Sequence, residues 1–559
     1  MRTLRHHLNQ YRDKGWKVLV VLLLSFITTL SFADKYPKNV RIDVLNYLFK
    51  IELSDDSDEI KCEVSVDVRF LGTGVDSLRL DLTNASDALE HRGMKVHQVK
   101  WGEEMLTFTH ENNVLKIKLP RSSTLYERTL FTITYSGVPA TGLKIAKNKY
   151  GDSTFFSDNW PNKARNWLAV VDHPYDKAMS EFIVTAPAHY QVVSNGLKVE
   201  ETDLGNGNRL THWKQSVPTA SWLYVLGVAE FAMQHVDDFD GKAIQTWVYR
   251  QDREAGFFDF AEPTKKVLEF YSDYIGPFSY EKLANIQSNS VSGGMEAASA
   301  ILYSEGSVVG DKNERWRNVV IHEIAHQWFG NAVTEYDWDD VWLSEGFATY
   351  FTSLFVEHQY GHDEFMKQMA SSKQQVESFQ KDNPNYTIVH DNLADMTKVT
   401  STHTYHKGSW ILHMLRGIMG EEDFWKGIQT YYAQYQNLNA TTADFVKVME
   451  ETSGLNLDTF VEQWLYKPGN IVLEGNWEYD RSSKSLTVNL NQVQKNSNLF
   501  TMPIEMAIYS SDGHNVITKK VTFDKVKNEY RIPLDFEPVK VELDPESWVL
   551  MEAKFKRNE

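Results

Sequence analysis

The stretch that most constrains this chain is "HEIAHQWFG", His322 to Gly330. Two histidines four residues apart lie on one face only if the segment is a helix, and their ring nitrogens can then meet on one metal ion. Glu323 points about 100° away from His322 and can reach a water beside such an ion. The pattern is short enough to arise by chance, so the rest of the chain has to decide. A catalytic zinc needs a third protein ligand and one open position. "VWLSEGFATY" supplies Glu345, nineteen residues after His326, on the next predicted helix. Two helices packed antiparallel across a turn would return that carboxylate to the histidines. An acid near a helix start is also favoured by the helix dipole alone. Asp339 or Asp340 is a candidate to hold a ligand histidine by its free ring N–H; an exposed acidic turn accounts for the pair equally well.

The surrounding text divides into three parts. From Tyr36 to about Val236, "RIDVLNYLFKIEL", "CEVSVDVRFL", "NNVLKIKLP" and "RTLFTITYSG" alternate apolar and polar residues between turn signals, which predicts an all-β sandwich. From about Asp237 the spacing becomes helical. "NERWRNVVIHEIAHQWFG" places Val319, His322, His326 and Phe329 near one face. "LSEGFATYFTSLFVEHQYG" and "YHKGSWILHMLRGIMG" are further helices stopped by Gly361 and Gly420. After Lys467-Pro468-Gly469 the strands return in "SLTVNLNQVQ", "MPIEMAIYSS", "YRIPLDF" and "VKVELDP", enough for a small β-sandwich. A chain of 559 residues has room for such a plan.

The first 33 residues read as an export signal. Arg2, Arg5, Arg12, Lys14 and Lys17 precede an apolar run from Val18 to Ala33, which ends in Ser31-Phe32-Ala33. The run is short for a membrane span, which takes about 20 residues, although an uncleaved anchor is the alternative. The expectation is an exported protein, periplasmic or extracellular, with no stable membrane span after signal cleavage. A net charge of −18 argues against nucleic acid as a partner. The single cysteine, Cys62, can form no internal disulfide and reads as a strand residue without chemistry.

The motifs together resemble the gluzincin zinc aminopeptidases, the family of membrane alanyl aminopeptidase and leukotriene hydrolase. The resemblance runs through "ARNWLAVVDHPYDKA" (164–178), "GPFSYEKLANIQ" (276–287), "GGMEAAS" (293–299), "HEIAHQWFG", "WLSEG" and "YHKGSWILHMLR" (405–416), in consistent order across nearly the whole chain after the signal. With the signal peptide read at 1–33 set apart, it implies an N-terminal β domain at 34–236, a thermolysin-like, mostly α, zinc catalytic domain at 237–468 and a small C-terminal β-sandwich at 469–559.

The same resemblance implies roles. His322, His326 and Glu345 would hold one zinc ion per chain. Glu323 would be the general base for attack by a zinc-activated water, and Tyr405 would stabilise the oxyanion. Glu296 would bind the free α-amine of a peptide substrate. Gly293 and Gly294 would let a backbone run beside that substrate as an edge strand, with Met295 lining the pocket for its first side chain. This sequence departs from the family pattern at Ala297, where Asn is usual, and at His406, where Glu is frequent. Some relatives add a polar residue beside the amine; the matching "SDNWPNKARNW" offers Asp158, Asn159 and Trp160 and no Gln or Glu at the expected place.

The reading is therefore a zinc aminopeptidase acting on peptides with a free N-terminus. A thermolysin-like endopeptidase is the alternative and would not need Glu296. Epoxide hydrolysis of the leukotriene type is disfavoured by Thr397 and Thr400, where that branch uses Asp and Tyr. A silent peptide-binding protein would be expected to have lost Glu323 or Tyr405.

Overall fold

A computed structural model describes residues 35–390, 393, 395–495, 498–511 and 515–558. The expected export segment, 1–33, lies outside the described residues. Among the described residues no helix is long and apolar enough to cross a membrane.

The N-terminal part is β-rich. Its main sheet has eight strands, in the order Leu197–Asp203, Asn208–Thr219, Ala178–Pro187, Ile42–Glu52, Ile60–Phe70, Arg128–Val138, Gly93–Trp101 and Glu104–Met105. The alternation read from the sequence is the cause. In Ile60–Phe70, residues 60, 62, 64, 66, 68 and 70 are buried and those between them are not, because successive side chains leave opposite faces of a strand. A four-stranded and a three-stranded sheet contribute to the same apolar core. Cys62 is buried in this strand, and burial pushes its thiol up to about 12, so it is an inert packing residue.

The middle part is mostly helix, as expected, but it also holds a sheet that the periodicity does not announce. A five-stranded sheet runs in the order Phe231–Phe239, Lys242–Tyr249, Lys282–Ser288, Ala300–Ser304 and Gly294–Met295. The three inner strands are parallel and the two edge strands antiparallel to their neighbours. Lys282–Ser288 is buried at every residue, as a central parallel strand is; it therefore lacks the alternation that betrays a half-exposed strand. Phe231–Phe239 straddles the expected boundary at 236/237 and pairs within this second sheet.

Eight helices matter for the site: α1 (Arg253–Phe260), α2 (Thr264–Tyr274), α3 (Glu314–Ala325), α4 (Trp342–Tyr360), α5 (His362–Asp382), α6 (Gly408–Met419), α7 (Glu421–Tyr435) and α8 (Thr442–Ser453). Asn313 caps α3 by accepting the Arg315 N–H. α4 is buried from Trp342 to Ala348 without interruption, and it packs against α3, α5 and α6. It ends where the sequence predicts, at Gly361 with φ 98°.

After residue 470 the chain is β-rich again. Sheets of four and three strands share a separate core in which Trp477, Leu486, Val488 and Leu490 meet Met506, Ile508 and Val541. Three lysines, the half-buried Lys177 and the buried Lys282 and Lys407, tie the parts together through backbone carbonyls. Lys177 Nζ donates to Asn331, Ala332 and Leu438, Lys282 Nζ to Ser194 at 2.9 Å, and Lys407 Nζ to Gly469 at 2.8 Å.

Candidate active site

α3 and α4 bring the three expected ligands together. His322 Nε2 lies 3.1 Å from His326 Nε2, and Glu345 Oε2 lies 3.5 and 3.2 Å from the two nitrogens. Tetrahedral ligands about 2.0–2.1 Å from a zinc ion stand roughly 3.3 Å apart, so the three atoms have the spacing of one face of such a site. They are the one group of three or more His, Cys, Asp or Glu side chains so placed among the described residues.

The tautomer of His326 agrees with ligation. Its Nδ1 is 3.1 Å from the Phe329 carbonyl oxygen, which can only accept, so Nδ1 carries a proton and Nε2 is the atom turned to Glu345 and left for a metal. Ser344 Oγ stands 3.1 Å from the same Nδ1. Asp340 does not hold a histidine: it accepts the Thr442 N–H at 3.2 Å and its hydroxyl at 2.5 Å, fastening the start of α8 to α4. Gly330, at φ 107°, makes room here, because a Cβ would collide with Ser344 Oγ.

The field at the cluster favours positive charge. Burial lowers the His326 pKa, but Glu296, Glu345 and Glu323 outweigh it and raise the ring to about 10. Burial raises Glu345, yet the two histidines hold it down at about 2. The two shifts are the two sides of one interaction, acids raising the imidazole and imidazoles lowering the acid, and a divalent cation would answer the same carboxylates.

Glu323 is buried beside the edge strand Gly294–Met295. A Cβ on Gly294 would collide with the Glu323 carboxylate, so glycine admits that carboxylate against the strand. Burial, then the nearby Glu296, raises Glu323 well above the ordinary carboxylate range. Among the described residues, Gly294 and Met295 pair with Tyr303 and Leu302 on one side only. Their other side is a free sheet edge at a cavity of about 750 Å³, which is also lined by His322, His326, Glu345, Glu296 and Tyr405.

Glu296 is 6% exposed, and its Oε1 is buried without a hydrogen-bond partner among the described residues. Its backbone carbonyl accepts Gln327 Nε2 at 3.0 Å and Asn331 Nδ2 at 2.6 Å. Those two amides, just beyond α3, fix where the carboxylate stands. Burial pushes the carboxyl up to about 7. Of the three candidates for a second polar group, Asn159 is committed to the core through Tyr224 and Trp167. Trp160 packs edge-on against Trp222 and Trp338. Asp158 lines the cavity and accepts Lys163 Nζ at 2.7 Å.

Tyr405 sits in a π-helical turn, His403–Lys407, that leads into α6. Such turns recur at functional sites because the extra residue re-aims a side chain. Its hydroxyl donates to Glu345 Oε1 at 2.8 Å. The approach depends on two glycines that no single motif announces: a Cβ on Gly346 would lie 3.0 Å from Gly408 Cα. Each follows a site residue in sequence, in "SEG" and "YHKG", which is the signal that could have found them.

Two descriptions within one family match this chain: "Peptidase M1 N-terminal domain" at residues 44–223 and "Peptidase family M1 domain" at residues 260–464. The chain belongs to peptidase family M1. Human glutamyl aminopeptidase is 29% identical over 391 residues, which cover 67% of this chain and 40% of the relative. Probable aminopeptidase 2 of Sulfurisphaera tokodaii is 27% identical over 520 residues, 87% of this chain and 62% of the relative. The chain thus spans about 40% to 62% of these two relatives. The M1 zinc metallopeptidase of Deinococcus radiodurans superposes with a TM-score of 0.65 at 22% identity, covering 76% of this chain and 93% of that one. That likeness establishes the shared fold: a β-rich N-terminal part, a helical catalytic region and a β-rich C-terminal part. In this M1 chain, His406 points its Nδ1 into the protein without a partner, and burial lowers its ring to about 4; it stands neutral at the cavity wall.

Proposed function

We propose that this M1 chain is a zinc aminopeptidase that releases the N-terminal residue of peptides. The observation that carries the reading is Glu296, a buried carboxylate with an unpartnered oxygen in the cavity of the His322–His326–Glu345 cluster. An exopeptidase must fix a charged amine at a set distance from the scissile carbonyl, and Glu296, directly after the edge strand, is the acid that can do so. His322, His326 and Glu345 would hold the zinc. Bound there, zinc would act as a Lewis acid towards the substrate carbonyl and a water, and would favour the ionised form of Glu323.

The chain's own groups would do the rest. The free edge of Gly294–Met295 would pair with the substrate backbone as an added strand, with Met295 against the first side chain. Glu323 would take a proton from the attacking water and deliver it to the leaving amine. The Tyr405 hydroxyl, which donates to Glu345, would turn to the developing oxyanion. The fold read with these roles has β-sandwiches at 34–230 and 469–559 flanking a thermolysin-like domain from Phe231. The 1–33 segment would direct export.

A panel of aminoacyl p-nitroanilides and matched N-acetylated peptides tests the reading. Cleavage restricted to free amines is expected. Equal cleavage of acetylated and free peptides would indicate an endopeptidase instead.

A further inference from the structure

One cation at the cavity is not neutralised by any carboxylate among the described residues. Arg315 lies on α3 and lines the same 750 Å³ cavity as the metal cluster. Its guanidinium is 5.0 Å over the neighbouring Trp316 ring, and no carboxylate among the described residues comes within ion-pair distance of it. Its neighbours differ. Arg317 is paired with Glu314 and Lys312 with Glu262, while the cavity's lysine, Lys163, is neutralised by Asp158 at 2.7 Å.

The position of Arg315 gives its purpose. Residues 315, 319, 322 and 326 fall on one stripe of a helix with 3.6 residues per turn. The stripe therefore runs from Arg315 through Val319 to the two histidines. Glu296 is fastened at the other end, through Gln327 and Asn331 beyond the C-terminus of α3. A substrate whose amine is held by Glu296 must carry its leaving portion past His322 towards the N-terminus of α3. Seven residues of helix span about 10 Å, and an extended peptide advances about 3.3 Å per residue. Arg315 thus stands two to three residues beyond the scissile bond. The other groups on this side of the cavity, Asn318, Thr349, Thr352, Ser353, Gln368 and Gln375, are uncharged and would not compete for an anion. The positive end of the α3 dipole adds to the attraction.

The structure assigns Arg315 as the anchor for the C-terminal carboxylate of short peptides, which makes tri- and tetrapeptides the favoured substrates. The assignment rests on the aminopeptidase reading above and specifies its substrate class. A guanidinium accommodates a carboxylate by two parallel hydrogen bonds, and a terminal amide offers no such charge.

The test uses the full protein with Ala-Ala-Ala and Ala-Ala-Ala-Ala, each as free acid and as C-terminal amide, and alanyl p-nitroanilide as the control. Wild type is expected to favour the acids over the amides by about tenfold in kcat/KM, equivalent to about 1.4 kcal/mol. Arg315→Gln should bring that ratio to within about twofold by raising KM for the acids. Turnover of the amides and of the anilide should stay unchanged, and Arg315→Lys should restore part of the preference. Wild type that hydrolyses the anilide yet treats acids and amides alike overturns the Arg315 assignment alone. So does an Arg315→Gln variant that keeps the wild-type ratio. Wild type inert towards anilide and peptides alike overturns the aminopeptidase reading and this assignment with it.

Discussion

Tyr405→Phe separates two things that one hydroxyl could do. The phenol donates to Glu345 Oε1 at 2.8 Å, so it is placed either to steady a metal ligand or to move onto the oxyanion. The two roles differ in magnitude and in readout. Removing a partner that orients a ligand typically costs about 10- to 100-fold in metal affinity, and excess metal repairs that loss. Removing an oxyanion donor costs about 10² to 10³ in kcat, roughly 2.7–4 kcal/mol of transition-state stabilisation, which no metal concentration repairs. Glu345 keeps contacts of 3.2 and 3.5 Å to the two histidines when the phenol is gone, so the ligand triangle should survive. The assay is kcat and KM on alanyl p-nitroanilide across a zinc titration, with zinc content measured after dialysis. The expected result is kcat lowered by about 10² to 10³ at every zinc concentration, with KM little changed and zinc retained. Full recovery of kcat in excess zinc would refute the oxyanion role and leave Tyr405 as a support for Glu345.

Three further perturbations follow from the same geometry. Glu323→Gln should keep its zinc, since this residue lies outside the ligand triangle, yet lose several orders of magnitude in kcat; near-normal turnover by the zinc-loaded variant would point to another base. Glu296→Ala should reduce kcat/KM on free-amine substrates by roughly 30-fold or more, the low end of the about 2–5 kcal/mol lost when a buried charge pair is truncated; unchanged cleavage would remove the amine anchor. Gly408→Ala places a Cβ 3.0 Å from Gly346 Cα, backbone against backbone, and should cost about 1–3 kcal/mol in a denaturant titration; unchanged stability would show that α4 and α6 can part without penalty.

The parts of the site that the sequence announced are those carried by short local patterns. His322 and His326 are one helical turn apart, Glu345 opens the next helix, and Glu296 follows two glycines, so spacing and resemblance sufficed to nominate them. What the sequence hid is tertiary. Phe329 holds His326 through a backbone carbonyl, which no side-chain motif reveals, and Asp340 serves α8 instead. Gly346 and Gly408 matter only where their helices cross. Arg315 looks like any solvated helix residue until the cavity places it on the histidine stripe. The fold divides in the same way. Ile60–Phe70 exposes one face and alternates, so it was legible as a strand. Lys282–Ser288 is buried on both faces and shows no period, so the sequence does not reveal the central sheet.

The central claim is that His322, His326 and Glu345 form a zinc site on which peptide hydrolysis depends. Zinc content and alanyl p-nitroanilide hydrolysis, followed together through chelation and reloading, test it most directly. The account predicts about one zinc per chain, loss of hydrolysis when the metal is withdrawn and recovery when zinc returns. Full activity in protein stripped of zinc and of every other divalent metal would contradict it.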